Sequence, residues 1–251
     1  MSLPLKISIS ILVIAVSFLF VPAAKAQWTI DAETGLAFPG YNKVRIPNES
    51  GTLFSFKNDF EAQGPVVPAR IRIGYTFNEK NHIFGLWAPL SINYEGGFDQ
   101  TVQFQESAFP GGTAVDGFYQ FNSYRLTYRR DVVQSNNWLI GIGFTAKIRD
   151  ASVQLENEAG IKDRKDDLGF VPLLHLYTAY DWGGKTLFFE GDGLAGGPGR
   201  AFDLFVGAKL PVSTTVSLKA GYRFLEGGAN VDEVYNFTLV QFAVLGLFFQ
   251  W

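Results

Sequence analysis

One of the two histidines in this 251-residue chain faces carboxylates across a predicted hairpin. If the chain turns at Gly183 and Gly184, His175 lies opposite Asp192; if it turns one residue earlier, His175 lies opposite Glu190. An imidazole beside a carboxylate is the orienting half of a nucleophilic or general-base site. His175, Glu190 and Asp192 are therefore candidates for catalysis. No serine or other nucleophile is placed beside them, so the pattern does not by itself predict an enzyme.

The elements that would hold these groups are segments in which every second side chain is apolar. Strict alternation of this kind is typical of a β-strand that is buried on one face. It recurs from about residue 28 to the C-terminus, with no apolar run long enough for a membrane helix. One such set of alternating positions is Phe84, Leu86, Ala88, Leu90, Ile92 and Tyr94.

The faces between the apolar stripes carry charge in nearly every predicted strand. A small dry core cannot hold that many charges, because each buried charge must be paired or hydrated. We therefore expect the apolar stripes, 84–94 included, to face lipid and the charged faces to line a barrel lumen. Besides Glu190 and Asp192, the expected lumen residues are Asp31, Glu33, Arg70, Arg72, Arg125, Arg129, Lys147, Arg149, Asp203, Lys209, Lys219 and Arg223.

The N-terminus has the pattern of a cleaved export signal. Lys6 precedes an apolar stretch at 7–21 that is too short to span a membrane, and Ala24, Lys25 and Ala26 form an A-x-A cleavage site. We expect Sec-type export and one domain at 27–251. The chain has no cysteine, so neither a disulfide framework nor thiolate chemistry is available to it.

The connections predict an all-β, antiparallel, up-and-down transmembrane barrel of about ten strands with both termini in the periplasm. Short joins are expected near 78–81, 131–137, 181–184 and 211–214. Longer loops are expected at 39–68, 95–117, 151–167, 193–200 and 226–233, as in barrels with short periplasmic turns and long outer loops. Twelve strands are possible if 53–60 pairs inside the first loop, and eight is the other alternative. An aromatic girdle at the periplasmic rim is expected from Trp28, Trp138, Trp182 and Trp251.

The last strand carries the clearest resemblance to a known group of proteins. Ala243, Leu245, Leu247, Phe249 and Trp251 share one face of a strand that ends at the C-terminus. In this and in its alternation, the chain resembles the outer-membrane β-barrel superfamily of Gram-negative bacteria. The resemblance implies an outer-membrane location in contact with lipid and lipopolysaccharide. It also implies insertion by the barrel-assembly machinery, which recognises a terminal strand of this type.

Two enzyme families of similar architecture have motifs that this chain lacks. Omptin-type proteases use an Asp-His pair, and no Asp-x-His sequence occurs here. Lipid A deacylases carry His-x-Ser, whereas the tripeptides here are His82-Ile83-Phe84 and His175-Leu176-Tyr177. We expect His82, which is close to a short turn, to be an interfacial residue.

Charge and motifs limit the remaining function classes. The formal net charge of −3 becomes −5 once Lys6 and Lys25 are removed, which disfavours binding to nucleic acid. No metal or cofactor motif is present, so no cofactor is predicted. The leading prediction is a non-enzymatic outer-membrane protein with a plugged or narrow lumen, which serves envelope structure or surface binding through its loops. The alternatives are a narrow pore for small anions and a barrel enzyme that acts on lipid A or peptides through His175 with Glu190 or Asp192.

Overall fold

The structure, a computed structural model, describes residues 27–251. The predicted export signal at 1–26 lies outside the described residues. In chain order the strands are β1 (Gln27–Arg45), β2 (Phe54–Ser55), β3 (Phe60–Ala62), β4 (Arg70–Phe77), β5 (Asn81–Ala88), β6 (Ser91–Gly97), β7 (Val102–Phe104), β8 (Ser107–Phe109), β9 (Ala114–Gln134), β10 (Trp138–Asn157), β11 (Lys162–Trp182), β12 (Lys185–Gly196), β13 (Gly199–Pro211), β14 (Val216–Val231) and β15 (Val234–Gln250). The helix α1 (Phe56–Asp59) lies between β2 and β3.

Antiparallel pairing closes a ring of ten strands, which confirms the predicted barrel. Strand β1 pairs with β15 on one side and with β4 on the other. Strands β5 and β6 both pair with β9 and act as one barrel strand with a break between them. From β9 to β15 each strand pairs with the next one along the chain. A closed ring leaves no unpaired edge among the strands at membrane depth, as lipid requires.

The segment at 53–60 does not add strands to the barrel. Its two-residue strand β2 pairs with the upper end of β1, and the three-residue β3 pairs with β6. Both lie in the first long connection, and β7 and β8 form a separate small sheet in the second. The twelve-strand alternative is therefore wrong, because neither piece is long enough to cross a bilayer.

Three of the long outer loops that the sequence predicts are instead extensions of strands. The regions 151–167, 193–200 and 226–233 are mostly paired, and only the turns 158–161, 197–198 and 232–233 remain outside strands. Strands β9, β10 and β11 reach 21, 20 and 21 residues, about twice what a bilayer needs. Outside lipid, a strand has no need of an apolar face, so apolar alternation does not reveal these extensions.

Most apolar stripes face outward, as predicted, but the stripe at 84–94 faces the interior. Phe84, Leu86, Ile92 and Tyr94 are buried, whereas Trp87 on the opposite face is exposed. The prediction was wrong here because residues 83–88 have no polar side chain on either face, so alternation does not orient the strand. No helix among residues 27–251 has the length and the apolar character that a membrane crossing would need.

The four tryptophans of the predicted girdle lie at the end of the barrel that carries the short turns. The backbone of Trp28 pairs with that of Trp251, and Trp138 packs on Tyr180 with ring centroids 4.9 Å apart. Trp182 closes the hairpin opposite Lys185. All four tryptophans are exposed, which suits side chains at a membrane–water boundary.

The opposite end of the barrel is covered by an aromatic cap. Its rings come from the two long connections and from the ends of the neighbouring strands. Phe56 stacks on Tyr94 with centroids 4.6 Å apart, and Phe54 meets Phe98 edge to face at 5.4 Å. Buried aromatic rings exclude water from this mouth of the barrel. The members of the cap are Phe54, Phe56, Phe60, Tyr94, Phe98, Phe104, Phe109 and Tyr119.

Candidate functional site

A layer of ion pairs crosses the middle of the lumen, and Asp203 is one of its centres. Its carboxylate lies 2.6 Å from the guanidinium of Arg125, 2.6 Å from that of Arg223 and 3.1 Å from that of Arg70. The four residues come from β4, β9, β13 and β14, so the pairs bridge distant parts of the ring. Asp203 is buried, and its negative charge is tolerated because three cations surround it.

The layer continues through Glu33 and Asp31 on β1. Lys219 is bonded to both carboxylates, with its ammonium nitrogen 2.7 Å from Asp31. Arg223 donates to both oxygens of Glu33 at 2.8 and 2.7 Å. The basic side chains therefore contact carboxylates rather than an open water column.

Glu190 and Asp192 complete the layer from β12. Glu190 accepts two hydrogen bonds from Arg72, and Arg72 also lies 3.1 Å from Asp31. Asp192 accepts a hydrogen bond from Arg125 at 2.7 Å. The layer thus has five acids and five cations, and we call it the ion-pair layer. Its members are Asp31, Glu33, Glu190, Asp192, Asp203, Arg70, Arg72, Arg125, Lys219 and Arg223.

His175 lies at the edge of this layer, in the first of the two predicted registers, opposite Asp192. Its Nδ1 is 2.8 Å from Asp192, and the same carboxylate oxygen accepts a hydrogen bond from Thr145 at 2.7 Å. Its Nε2 has no hydrogen-bond partner among residues 27–251, and the nearest carboxylate oxygen of Glu190 is 3.7 Å away. The structure therefore brings the three candidates together but places no hydroxyl on the free nitrogen.

Four of the predicted lumen cations lie outside the ion-pair layer. The Lys147 ammonium lies 4.6 Å from the ring centroid of Phe121, and Arg149 pairs with Asp167 above the layer. Below the layer, Arg129 pairs with Asp131, and Lys209 lies near the hydroxyl of Tyr177 at 3.4 Å. These four cations therefore contact separate partners and do not form a further connected layer.

A second histidine centre, which the sequence analysis missed, lies near the short-turn end. His82 is buried inside the barrel and is not interfacial, so that prediction was wrong. Its Nδ1 is 2.8 Å from the hydroxyl of Thr76, its partner across the β4–β5 hairpin. Its Nε2 is 2.8 Å from a carboxylate oxygen of Asp131 on β9. Because the strand is apolar on both faces, only the polar character of His82 itself hinted that this face points inward.

This centre lies on the wall of a cavity of about 620 Å³. The cavity lies below the ion-pair layer, with Arg72 and Glu190 at its inner end. Its rim includes Gln27 and Gln250, which lie at the ends of β1 and β15 on the short-turn side. We call this cavity the vestibule. Its size is within the usual range of small-molecule sites.

A metal centre has no support among the described residues. Within 27–251, no group of three or more His, Asp or Glu side chains is placed to hold an ion.

Comparisons with known proteins bear on the fold of this chain. No family model matches the chain, and no curated protein matches it in sequence. Among solved structures it is similar to the outer-membrane protease OmpT of Escherichia coli, with a TM-score of 0.53 and 12% identity over 90% of this chain and 97% of that one. It also matches the attachment invasion locus protein Ail of Yersinia pestis, in complex with sucrose octasulfate, with a TM-score of 0.41 and 11% identity over 90% and 99%.

The chain thus has the fold of the outer-membrane β-barrel proteins. Its closed ring, its exposed apolar belt and its similarity to OmpT all agree on this class. At such low identity the likeness establishes the fold and leaves the activity to be argued from the side chains.

Proposed function

We propose that this chain is a non-conducting integral protein of the bacterial outer membrane, which serves envelope structure or surface binding through its extracellular part. The ion-pair layer is the observation that carries the proposal. It fills the lumen with side chains that hold one another across the ring, as small barrels usually do. The aromatic cap adds a second closure at the outer mouth.

The alternative of an anion pore requires a path of free cations. Rings of Arg and Lys select anions when their charges face water. Here Arg125 and Arg223 each contact two carboxylates, and Lys219 does the same. An anion would have to displace these carboxylates, so the geometry favours a closed barrel.

The extensions of β9, β10 and β11 supply the surface for a binding role. They continue the sheet well beyond the bilayer, and β10 and β11 meet in the tight turn at 158–161, so they present a more rigid surface than loops would. This surface carries paired charges of both signs, such as Lys162 with Glu156 and Arg164 with Asp166, each at 2.7 Å. A surface of mixed charge suits a polar partner outside the cell.

Conductance of the purified, exported chain in a planar bilayer tests the proposal. We expect no current from protein whose folding is shown by a heat-dependent shift on a gel. A matched variant is Lys209→Gln, which removes a vestibule cation without touching the ion-pair layer. Steady anion-selective steps in the wild type that lose their anion preference in the variant would refute the closed barrel and support the pore.

A further inference from the structure

We propose that Thr76, His82 and Asp131 form a nucleophilic site that acts on carboxylic esters entering the vestibule. The three side chains are joined in series, hydroxyl to imidazole to carboxylate, by two contacts of 2.8 Å. This order is the one that activates a hydroxyl in acyl-transfer enzymes, and it recurs on unrelated folds. It is independent of the closed lumen above it, since the vestibule lies on the other side of the ion-pair layer.

The hydrogen bonds determine which atom carries each proton. A carboxylate only accepts hydrogen bonds, so the contact with Asp131 places the imidazole proton on Nε2 of His82. In the neutral imidazole Nδ1 is then the acceptor, and the hydroxyl of Thr76 donates to it. The resting arrangement therefore already points the proton of Thr76 at a base.

Neighbouring groups hold the relay in place. The ring of His82 stacks on that of Phe84, with planes only 4° apart and centroids at 5.9 Å. Arg129 lies 3.0 Å from the other oxygen of Asp131 and keeps that carboxylate charged and oriented. Imidazole and carboxylate thus have fixed positions, which is what a general base requires.

The proposed reaction is ester hydrolysis with water as the second reactant. Oγ1 of Thr76 bonds to the carbonyl carbon while its proton moves to Nδ1 of His82. The bond from that carbon to the leaving alcohol oxygen then breaks, and the alcohol takes the proton from Nδ1. Water attacks the acyl-threonine with His82 again as the base, which releases the carboxylic acid and restores the hydroxyl.

The walls of the vestibule indicate which ester would fit. Phe188 and Phe248 supply apolar surface, and the ammonium of Lys209 lies 4.4 Å from the centroid of the Phe248 ring. Lys209 lies 3.4 Å from the hydroxyl of Tyr177 and lines the vestibule, where its ammonium can also meet an anionic group of a ligand. Arg129 is a second cation on the same wall. The site therefore suits a small ester with an apolar acyl chain and an anionic group.

Covalent labelling with a fluorophosphonate tests the nucleophile directly. The probe forms a phosphorus–oxygen bond and loses fluoride when a hydroxyl attacks it. We expect the adduct on Thr76, located by mass spectrometry of the tryptic fragment 73–80 from the detergent-purified chain. Thr178→Val is the matched control, because Thr178 lies on the outer face of β11 beside Trp138 and Leu187. It should label as the wild type does.

Hydrolysis of p-nitrophenyl butyrate by the same protein supplies the second readout. We expect Thr76→Val to lose the activity, Thr76→Ser to retain it, and His82→Asn to lower it by about 100-fold. Rescue by serine separates a nucleophile from a hydroxyl that only stabilises the fold. Failure of Thr76 to label, or equal hydrolysis by folded Thr76→Val and wild type, would overturn the proposal. Neither result would alter the conductance that tests the closed barrel.

Discussion

The two histidines occupy opposite kinds of environment within one lumen. His175 lies in the ion-pair layer, where its carboxylate is also held by an arginine and a threonine. His82 lies on the wall of the vestibule, between a carboxylate and a hydroxyl. Both have an orienting acid, but of the two only His82 has a hydroxyl on its second nitrogen, and that hydroxyl lines the vestibule. An imidazole–carboxylate pair is therefore a poor indicator of chemistry until its other neighbours are known.

The largest loss of stability is expected when Asp203, in the sealed ion-pair layer, is replaced. We expect Asp203→Ala to lower the free energy of unfolding by about 3–5 kcal/mol, since it leaves three buried guanidinium groups without their common partner. Urea titration followed by tryptophan fluorescence measures the change. The double variant Asp203→Ala, Arg125→Ala should recover part of the loss. An unchanged midpoint for the single variant would mean that the layer is hydrated and not sealed.

Replacing each histidine by alanine sharpens the comparison. His175→Ala should cost about 1–3 kcal/mol, because it removes a buried imidazole, only 2% exposed, from its hydrogen bond to Asp192 at the edge of the ion-pair layer. His82→Ala should cost about 1 kcal/mol, because vestibule water can replace the lost hydrogen bond to Asp131. The same urea titration gives both values. A larger loss of stability in His82→Ala than in His175→Ala would contradict the assignment of His175 to a sealed site and His82 to an open one.

Chemical modification compares the solvent accessibility of the two histidines in the unmutated protein. Diethylpyrocarbonate should modify His82 faster than His175, because the side chain of His82 is 11% exposed and that of His175 is 2% exposed. Mass spectrometry of the folded chain over time measures both rates, and the unfolded chain supplies the intrinsic rates. Equal protection of the two histidines would show that the vestibule does not admit small molecules.

The smallest effect is expected on the long extension of β10 and β11, far from both sites. A hydrogen bond from Arg164, helped by Ser152, holds the pKa of Asp166 below its ordinary value of 3.8. The folded state therefore gains stability from this carboxylate above about pH 3.8, and the gain is lost as the pH falls through the lowered pKa. Because Asp166 is exposed, Asp166→Asn should change stability by less than about 1 kcal/mol at pH 7. In urea titrations, the difference in stability between the two proteins should be smaller at pH 3 than at pH 7.

Much of the barrel could be predicted from residues alone. Alternation at positions such as Ile142 and Phe144 marks strands, because lipid on one side and charge on the other impose a period of two. The spacing of the short turns predicted the ring of ten strands and the end of the barrel at which the four tryptophans lie. The same logic failed at 83–88, where neither face has a polar side chain, and at 151–167, where a strand in water needs no apolar face.

The sequence by itself determined the strand pattern, the charges available to the lumen and the absence of thiol chemistry, because these follow from composition and period. Only the tertiary structure decided which charges meet. Asp203 and Arg70 are remote in sequence, and ring closure brings them within 3.1 Å. The register between β5 and β9 placed Asp131 beside the Thr76–His82 hairpin. Contacts across a closed sheet depend on register and curvature, which no local pattern of residues encodes.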